Sequence, residues 1–393
     1  MKKITKKSIL QKITISILSI MLLFNFIVPT YSHADFGGVL LDPVVDLLCS
    51  IGDAVVNLLQ LCMTGETGTK KLNFSMSAFL VEDDEFWNNA GDQYTKYIGA
   101  GGSITEDINV EEDFEKGWLG LSDKYYIPVA TYSPEQIFAN EVAGLDINFI
   151  NPNKYTTSDG EEVESSAAKL QSTIASWYIA IRNLAVVGLL SVLVYVGIRI
   201  IISSTASDKA KYKQMLVDWL IALCILFFMH YLMSFIITMT ESVCTAIAGD
   251  GSSNITVNVT DENGNHTFNT NLLGLARFKT QYKDFGPKIA YLIMYLALVI
   301  YTVVFTWFYL KRLLMMAFLT LIAPAVALTY PIDKMNDGKA QAFDAWLKEY
   351  TFNALIQPFH LIIYYKFFLP KKGLIVSLLN SLFHFLWLFL VHY

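Results

Sequence analysis

Two neighbouring stretches decide how this chain is built: "WFYLKRLLMM" (307–316) and "LIAPAVALTYPIDKMNDGKAQAFDAWLKEY" (321–350). The second begins as a hydrophobic span and ends as a surface helix. Pro324 should weaken the helix and Pro331 should end it, because proline lacks an N–H and crowds the preceding turn. "IDKMNDG" reads as a turn. From Lys339 onward, Phe343, Trp346, Leu347, Tyr350 and Ala354 fall on one helical face, while Lys339, Asp344, Lys348 and Glu349 lie largely opposite. This predicts an interfacial helix anchored by Phe343, Trp346 and Tyr350, or a docking surface beside a conduit. The first stretch places Lys311 and Arg312 between two apolar runs. Read by charge, it is a cytoplasmic turn between spans 288–310 and 313–330. Read by turn chemistry, it has neither Gly nor Pro, which favours one long helix from 288 to about 322. A layout of about five to six spans takes the first reading.

The rest of the composition fits a membrane protein. Of 393 residues, 54% are hydrophobic and 16% charged, against about 25% charged in soluble domains. Residues 35–173 carry 24 acidic residues against 7 lysines and no arginine, a net of −17; residues 174–393 carry 11 acidic and 17 basic residues, a net of +6. An acidic half joined to an apolar, basic half predicts an exported region followed by a transmembrane domain with basic loops inside.

"MKKITKKSILQK" followed by "ITISILSIMLLFNFIVP" and Ser32-His33-Ala34 has the three parts of a secretory signal, with cleavage after Ala34. An uncleaved anchor is the alternative, and both leave Asp35 outside. Residues 35–63 form the next unit. Asp42, Asp46, Asp53, Asn57 and Gln60 follow helical spacing amid Val, Leu and Ile, so an amphipathic helix is expected, lying in the interface or packed on protein. Residues 64–173 read as a small acidic extracytoplasmic region whose acid runs are a solvated face.

Residues 174–393 read as the transmembrane domain, with spans at 177–203, 215–239, 288–310, 313–330, 352–369 and 373–391. Lys209, Lys211 and Lys213, together with Lys311 and Arg312, mark the cytoplasm. Between the second and third spans, the extracellular loop 245–287 contains Ile255, Val257 and Val259 in alternation, an Asn263-Gly264 turn and a return strand: a β-hairpin.

Few groups invite chemistry. Asp218 either pairs with Lys211 or Lys213 or lines a conduit. His230 and His360 are either hydrogen-bonded within the bundle or parts of a proton path. Pro324 and Pro358 mark kinks, and "QPFH" concentrates a polar side chain, a kink and an ionisable ring. No metal spacing, P-loop or catalytic set is present, so neither an enzyme nor a cofactor is expected, and Cys49, Cys62, Cys224 and Cys244 are expected to be free thiols.

"SWYIAIRNLAVVGLLSVLVYVGIRIIISSTASDKAKYKQMLVDWLIALCILFFMHYLMSF", "LTLIAPAVALTYPIDKMNDGKAQAFDAWLKEYTFNALIQPFHLIIYY" and "YIPVATYSPEQIFANEVAGLDINFINPNKY" resemble the TrbL-like family. These are polytopic inner-membrane channel components of type IV secretion and conjugation systems, here of the kind carried on Gram-positive mobile elements. The resemblance spans roughly 120–365. It implies a mainly α, multi-pass protein of the bacterial cytoplasmic membrane that takes part in conjugal DNA transfer. It would work with secretion ATPases and other membrane subunits in the lipid bilayer, with room for a homo-oligomer, and meet the DNA–protein substrate only indirectly. It assigns no active-site residue. After "HLIIYY" the sequence departs from the family, which suggests a truncated or frameshifted end. A stand-alone ion channel or transporter using Asp218, His230 and His360 is the alternative from another class.

Overall fold

The computed structural model describes residues 36–64, 80–81, 104–109, 125–126, 131–140, 142–150, 155–156, 162–163, 166–248, 255–261 and 264–368. The expected signal sequence and the span at 373–391 lie outside them. The described chain is predominantly helical. Its helices are α1 (Phe36–Thr64), α2 (Pro134–Phe138), α3 (Ser166–Ile202), α4 (Ala206–Ala248), α5 (Leu272–Lys279), α6 (Phe285–Asp337) and α7 (Gln341–Phe368). The strands are β1 (Leu80–Val81), β2 (Ile104–Asn109), β3 (Tyr125–Tyr126), β4 (Tyr155–Thr156), β5 (Glu162–Val163), β6 (Ile255–Asp261) and β7 (Gly264–Thr270). Among the described residues, four helical stretches are long and apolar enough to cross a membrane: Pro43–Met63, Lys169–Ile202, Ala206–Ile247 and Phe285–Met335.

The largest departure from the span layout is α6. It runs unbroken for 53 residues through Lys311-Arg312, Pro324 and Pro331. At 1.5 Å per residue it is about 80 Å long. Segments 288–310 and 313–330 are therefore one helix, as the missing turn chemistry at 311–312 favoured. Pro331 does not end it; Gly338 does. Gly338 adopts φ 68°, and its N–H bonds Lys334 O at 3.0 Å, a left-handed cap that glycine adopts without a Cβ penalty. Asp333 then accepts from Ala342 N at 3.2 Å, satisfying one of the free N–H groups at the start of α7.

Residues 341–368 likewise form a single helix through Pro358, so the expected interfacial helix and the span at 352–369 are one element. Its apolar face meets protein, not an interface. Trp346 Nε1 donates to Leu319 O at 2.9 Å, Trp346 stacks on Tyr350 at 5.3 Å, and both are buried; Phe343, half-buried, sits 6.1 Å from Trp346.

Two cores are stacked along α6. The lower one joins Leu313, Met316, Leu319, Ala323 and Ala327 of α6 to α3, α4 and the first half of α7. The upper one joins Tyr291 to Tyr309 of α6 to α1, α2, β6, α5 and the end of α7. The expected hairpin is present: β6 and β7 pair antiparallel from Ile255↔Thr270 to Asp261↔Gly264, with Ile255, Val257 and Val259 buried. Gly264 pairs within the second strand, one residue beyond its expected place in the turn. β2 adds parallel to β6. The acidic stripe of α1 docks on protein: Asp53 pairs with Arg277 of α5 at 3.0 Å and accepts from Tyr295 Oη at 2.6 Å.

The ends of the bundle follow from three contacts. Trp219 Nε1 donates to Leu189 O at 2.7 Å, so α3 and α4 are antiparallel about the turn at 203–205. A methyl on Gly188 would sit 3.0 Å from Leu328, while Gln171, one turn into α3, donates to Asp146 O at 3.4 Å. Residue 146 belongs to the segment packed against the middle of α6, so α3 and α6 run in the same direction. Gly338 therefore shares an end with the lysine-bearing start of α4. Cysteine at Lys339 and cysteine at Ser207, each single in a cysteine-free chain, should react with an impermeant thiol reagent from the same side, and Thr267→Cys from the opposite side. Opposite behaviour of the first two would restore the six-span layout.

Candidate functional site

The two cores meet at a buried polar junction. Arg312, fully inside, donates from Nη2 to Ala354 O at 3.0 Å, from Nε to Asn353 O at 2.7 Å and from Nη1 to Gln357 Oε1 at 2.9 Å. The cause is visible in the sequence of α7. Pro358 has no N–H, so the carbonyl four residues earlier, Ala354 O, has no helical partner. Arg312 supplies one. A side chain expected to mark a cytoplasmic loop instead compensates a proline inside the protein. Its neighbour Lys311 points outward and is exposed.

Gln357 extends the junction. Its Nε2 donates to Phe138 O at 3.1 Å and more weakly to Ile137 O at 3.5 Å, satisfying carbonyls at the end of α2. α2 belongs to a wedge, residues 131–138, that enters between α6 and α7, while the 3₁₀ turn at Ala143–Leu145 packs on α1, α3 and α6. "SPEQ" starts it by capping rules: Ser133 accepts from Glu135 N at 3.2 Å, Pro134 takes the first helical position and Ser133 Oγ bonds Gln136 Oε1. Glu135, only 3% exposed, accepts from Tyr364 Oη at 2.6 Å and from Leu272 N at 3.3 Å. Asn271 caps α5 through Gly274 N at 2.9 Å, and its Nδ2 reaches Thr131 O at 2.5 Å and Ser133 Oγ at 3.1 Å. Two helix caps are thus tied to each other.

Aromatic rings close the junction. Phe138 lies edge-on to Phe305 at 4.8 Å and 5.6 Å from both His360 and Tyr364. His360 Nδ1 and Tyr309 Oη are 3.1 Å apart. Tyr132 Oη and Thr306 Oγ1 are 3.0 Å apart; burial pushes the Tyr132 hydroxyl above the usual phenol range, and this hydrogen bond offsets part of the rise.

The structure brings Pro358 and His360 to this junction with Arg312, but not Asp218 or His230. Asp218 is buried on α4 and forms no ion pair with Lys211 or Lys213, which are exposed on the first turns of the same helix with Lys209. His230 lies in the lower core region, its ring 6.2 Å from Tyr178 and its Nδ1 without a hydrogen-bond partner. Pro324 lies inside α6 in the lower half. All four cysteines are free. Among the described residues, no group of His, Cys, Asp and Glu is arranged to hold a metal ion. Sequence reading singled out Gln357 only as the polar member of "QPFH" and Arg312 only as a cytoplasmic marker, and it missed Glu135 and the stripe that Thr302, Thr306 and Tyr309 form with Arg312 on α6. That stripe has helical spacing in an otherwise apolar run, the one signal that could have revealed it.

No protein-family model, curated protein or solved structure matches this chain.

Removing Arg312 should cost about 1–3 kcal/mol, the loss expected when buried acceptors such as Ala354 O and Gln357 Oε1 lose their donor. Pro358→Ala restores an N–H that can reach Ala354 O. The cost of Arg312→Ala should therefore be smaller in the Pro358→Ala background, by about 1 kcal/mol, the net worth of one hydrogen bond. Unfolding in detergent of the two single variants and the double variant measures this difference; additive costs would contradict the compensation.

Proposed function

We propose that this chain is an integral channel or scaffold subunit of a conjugative type IV secretion machine in the bacterial cytoplasmic membrane, with its N-terminal region outside. The observation that carries the reading is the wedge. Residues 131–138, from the segment "YIPVATYSPEQIFANEVAGLDINFINPNKY" that resembles the family's extracytoplasmic sequence, interlock with the long helices that share the same resemblance. An exported region hydrogen-bonded into a membrane bundle suits a component that joins outer parts of a machine to an inner-membrane base.

The lower core suits the bilayer. Its helices approach through small residues, Ala185, Gly188, Ala222, Ala323, Ala327 and Ala354, which is how helices associate where hydrophobicity gives no advantage. A hydrocarbon layer is about 30 Å thick, so only part of α6 can lie in it. We place the lower half there and the upper half on the outer side, with Lys209, Lys211 and Lys213 inside. The partners on this reading are the secretion ATPases and neighbouring membrane subunits, in contact with the lipid bilayer.

Deleting the gene from a donor strain should abolish DNA transfer while leaving growth intact, and expression in trans should restore it. The tagged chain should co-purify with the system's ATPases. Transfer at the parental level from the deleted donor would overturn the reading, and flux of a specific solute through the purified chain, abolished by substitution of Asp218 and His230, would favour a transporter.

A further inference from the structure

We infer that α1 carries a self-pairing seam: its outward face docks on the same face of a second copy of this chain, with the two α1 helices parallel and outside the bilayer. The inference rests on the placement of the lower core in the bilayer, not on the secretion role.

Three observations carry it. First, α1 is turned inside out. Its polar groups face its own chain: Asp53 pairs with Arg277, and Gln60 is buried. Its outward residues are apolar. Leu47, Ile51 and Leu58 are 61%, 53% and 60% exposed, and Val44, Ala54 and Leu61 are exposed with them. A helix on the surface of a water-soluble domain shows the reverse arrangement. A continuous apolar stripe left outside marks an interaction site.

Second, the hydrocarbon of the bilayer lies too far away to cover this stripe. α1 packs on the outer half of α6. Tyr295 Oη donates to Asp53 at 2.6 Å, and Gly52 approaches the Tyr295 ring so closely that a Cβ there would sit 2.6 Å from it. Cys49 Sγ donates to Thr280, just ahead of α6, at 3.6 Å. Leu328, which meets Gly188 of α3 in the lower core, is 33 residues beyond Tyr295. At 1.5 Å per residue the two are about 50 Å apart. A hydrocarbon layer about 30 Å thick that holds the lower core leaves the contact of α1 with Tyr295 outside it.

Third, the outward residues keep a register that suits a like partner. Val44, Leu47, Ile51, Ala54, Leu58 and Leu61 are spaced 3, 4, 3, 4 and 3, a coiled-coil seam with Val44, Ile51 and Leu58 at a and Leu47, Ala54 and Leu61 at d. Two of the three a residues are β-branched and two of the three d residues are leucine, the pattern that favours two parallel strands. The flanking residues Leu48, Ser50, Val55, Asn57 and Cys62 carry no charge, so two identical seams meet without repulsion and nothing on them selects a charged partner. Asp46 and Asp53, the only charges from Val44 to Met63, fall on the far side of the helix. The bilayer imposes the parallel arrangement. Copies inserted the same way are related by an axis along the membrane normal, so equivalent helices point the same way. α1 leads from Thr280 at the outer end of α6 to Gly144, whose position meets Met63 O, in the segment that reaches α3 through Asp146. It therefore runs from the outer end toward the bilayer.

The test uses the purified full chain in proteoliposomes, where only copies of itself can pair with it. In a cysteine-free chain, Ala54→Cys places a thiol at a d position, and mild oxidation should convert most of the chain to a disulfide-linked dimer. Phe228→Cys, exposed on α4 in the lower half, reports chance collisions within the bilayer and should stay monomeric. Ile51→Lys added to Ala54→Cys should abolish the link by setting two lysines face to face, with helical circular dichroism unchanged because residue 51 is exposed. Leu58→Lys repeats the test at the next a position should Ile51→Lys fail to fold. Mixing the Ile51→Lys chain with an Ile51→Glu chain before reconstitution should restore the link as mixed pairs. A link no stronger than that of Phe228→Cys, or one that survives the lysine, overturns the seam. So does an unlinked Ala54→Cys that is protected from a hydrophilic thiol reagent added to both sides, which would mean that lipid covers the face. Labelling at Lys339, Ser207 and Thr267 judges the placement of the bilayer separately.

Discussion

Everything above and below the middle of α6 depends on one exchange: the guanidinium of Arg312 takes the place of the N–H that Pro358 lacks. An arginine taken out of water costs several kcal/mol unless its donors are met. Three acceptors on α7 meet them, and Ala354 O is open because of the proline. The exchange sets the register of α7 against α6, since a slip of one residue would separate Arg312 from its acceptors. It also sets the wedge, because Gln357 uses one end of its amide for Arg312 and the other for α2.

Around that point the two cores are held by different physics. The lower core is a close packing of alanines, a glycine and large side chains, with few polar groups; Trp219 and Trp346 each give their N–H to a backbone carbonyl of a neighbouring helix. The upper core mixes aromatic packing with caps, an ion pair and a buried carboxylate. The lower core resists separation because it has nothing to offer water.

Much of this was legible where the local signal was strong. The stripe of Asp53, Asn57 and Gln60 announced α1, and alternation at Ile255, Val257 and Val259 announced the hairpin. At 307–316 the missing turn chemistry was the better guide, and the positive charge of Arg312 the poorer one, because a charge can be matched by a distant proline that no local window contains. Pro331 misled for the related reason that a proline removes one hydrogen bond without forbidding a packed helix, whereas Gly338 ends the helix through its own φ. Trp346 and Tyr350 were found to share a face, but which partner that face meets is not a property of the face.

The sequence by itself determined that this is a helical membrane protein, where most of its helices lie and which residues share a face, since these follow from hydropathy, periodicity and side-chain chemistry within a few turns. The tertiary structure alone decided that 288–330 is one helix, that the turn at Gly338 shares an end with the lysines of α4, and that Glu135, Arg312 and Gln357 form one network. Those residues lie up to 222 positions apart. Their meeting depends on how unsatisfied carbonyls and buried charges find each other in space, which no stretch of sequence encodes alone.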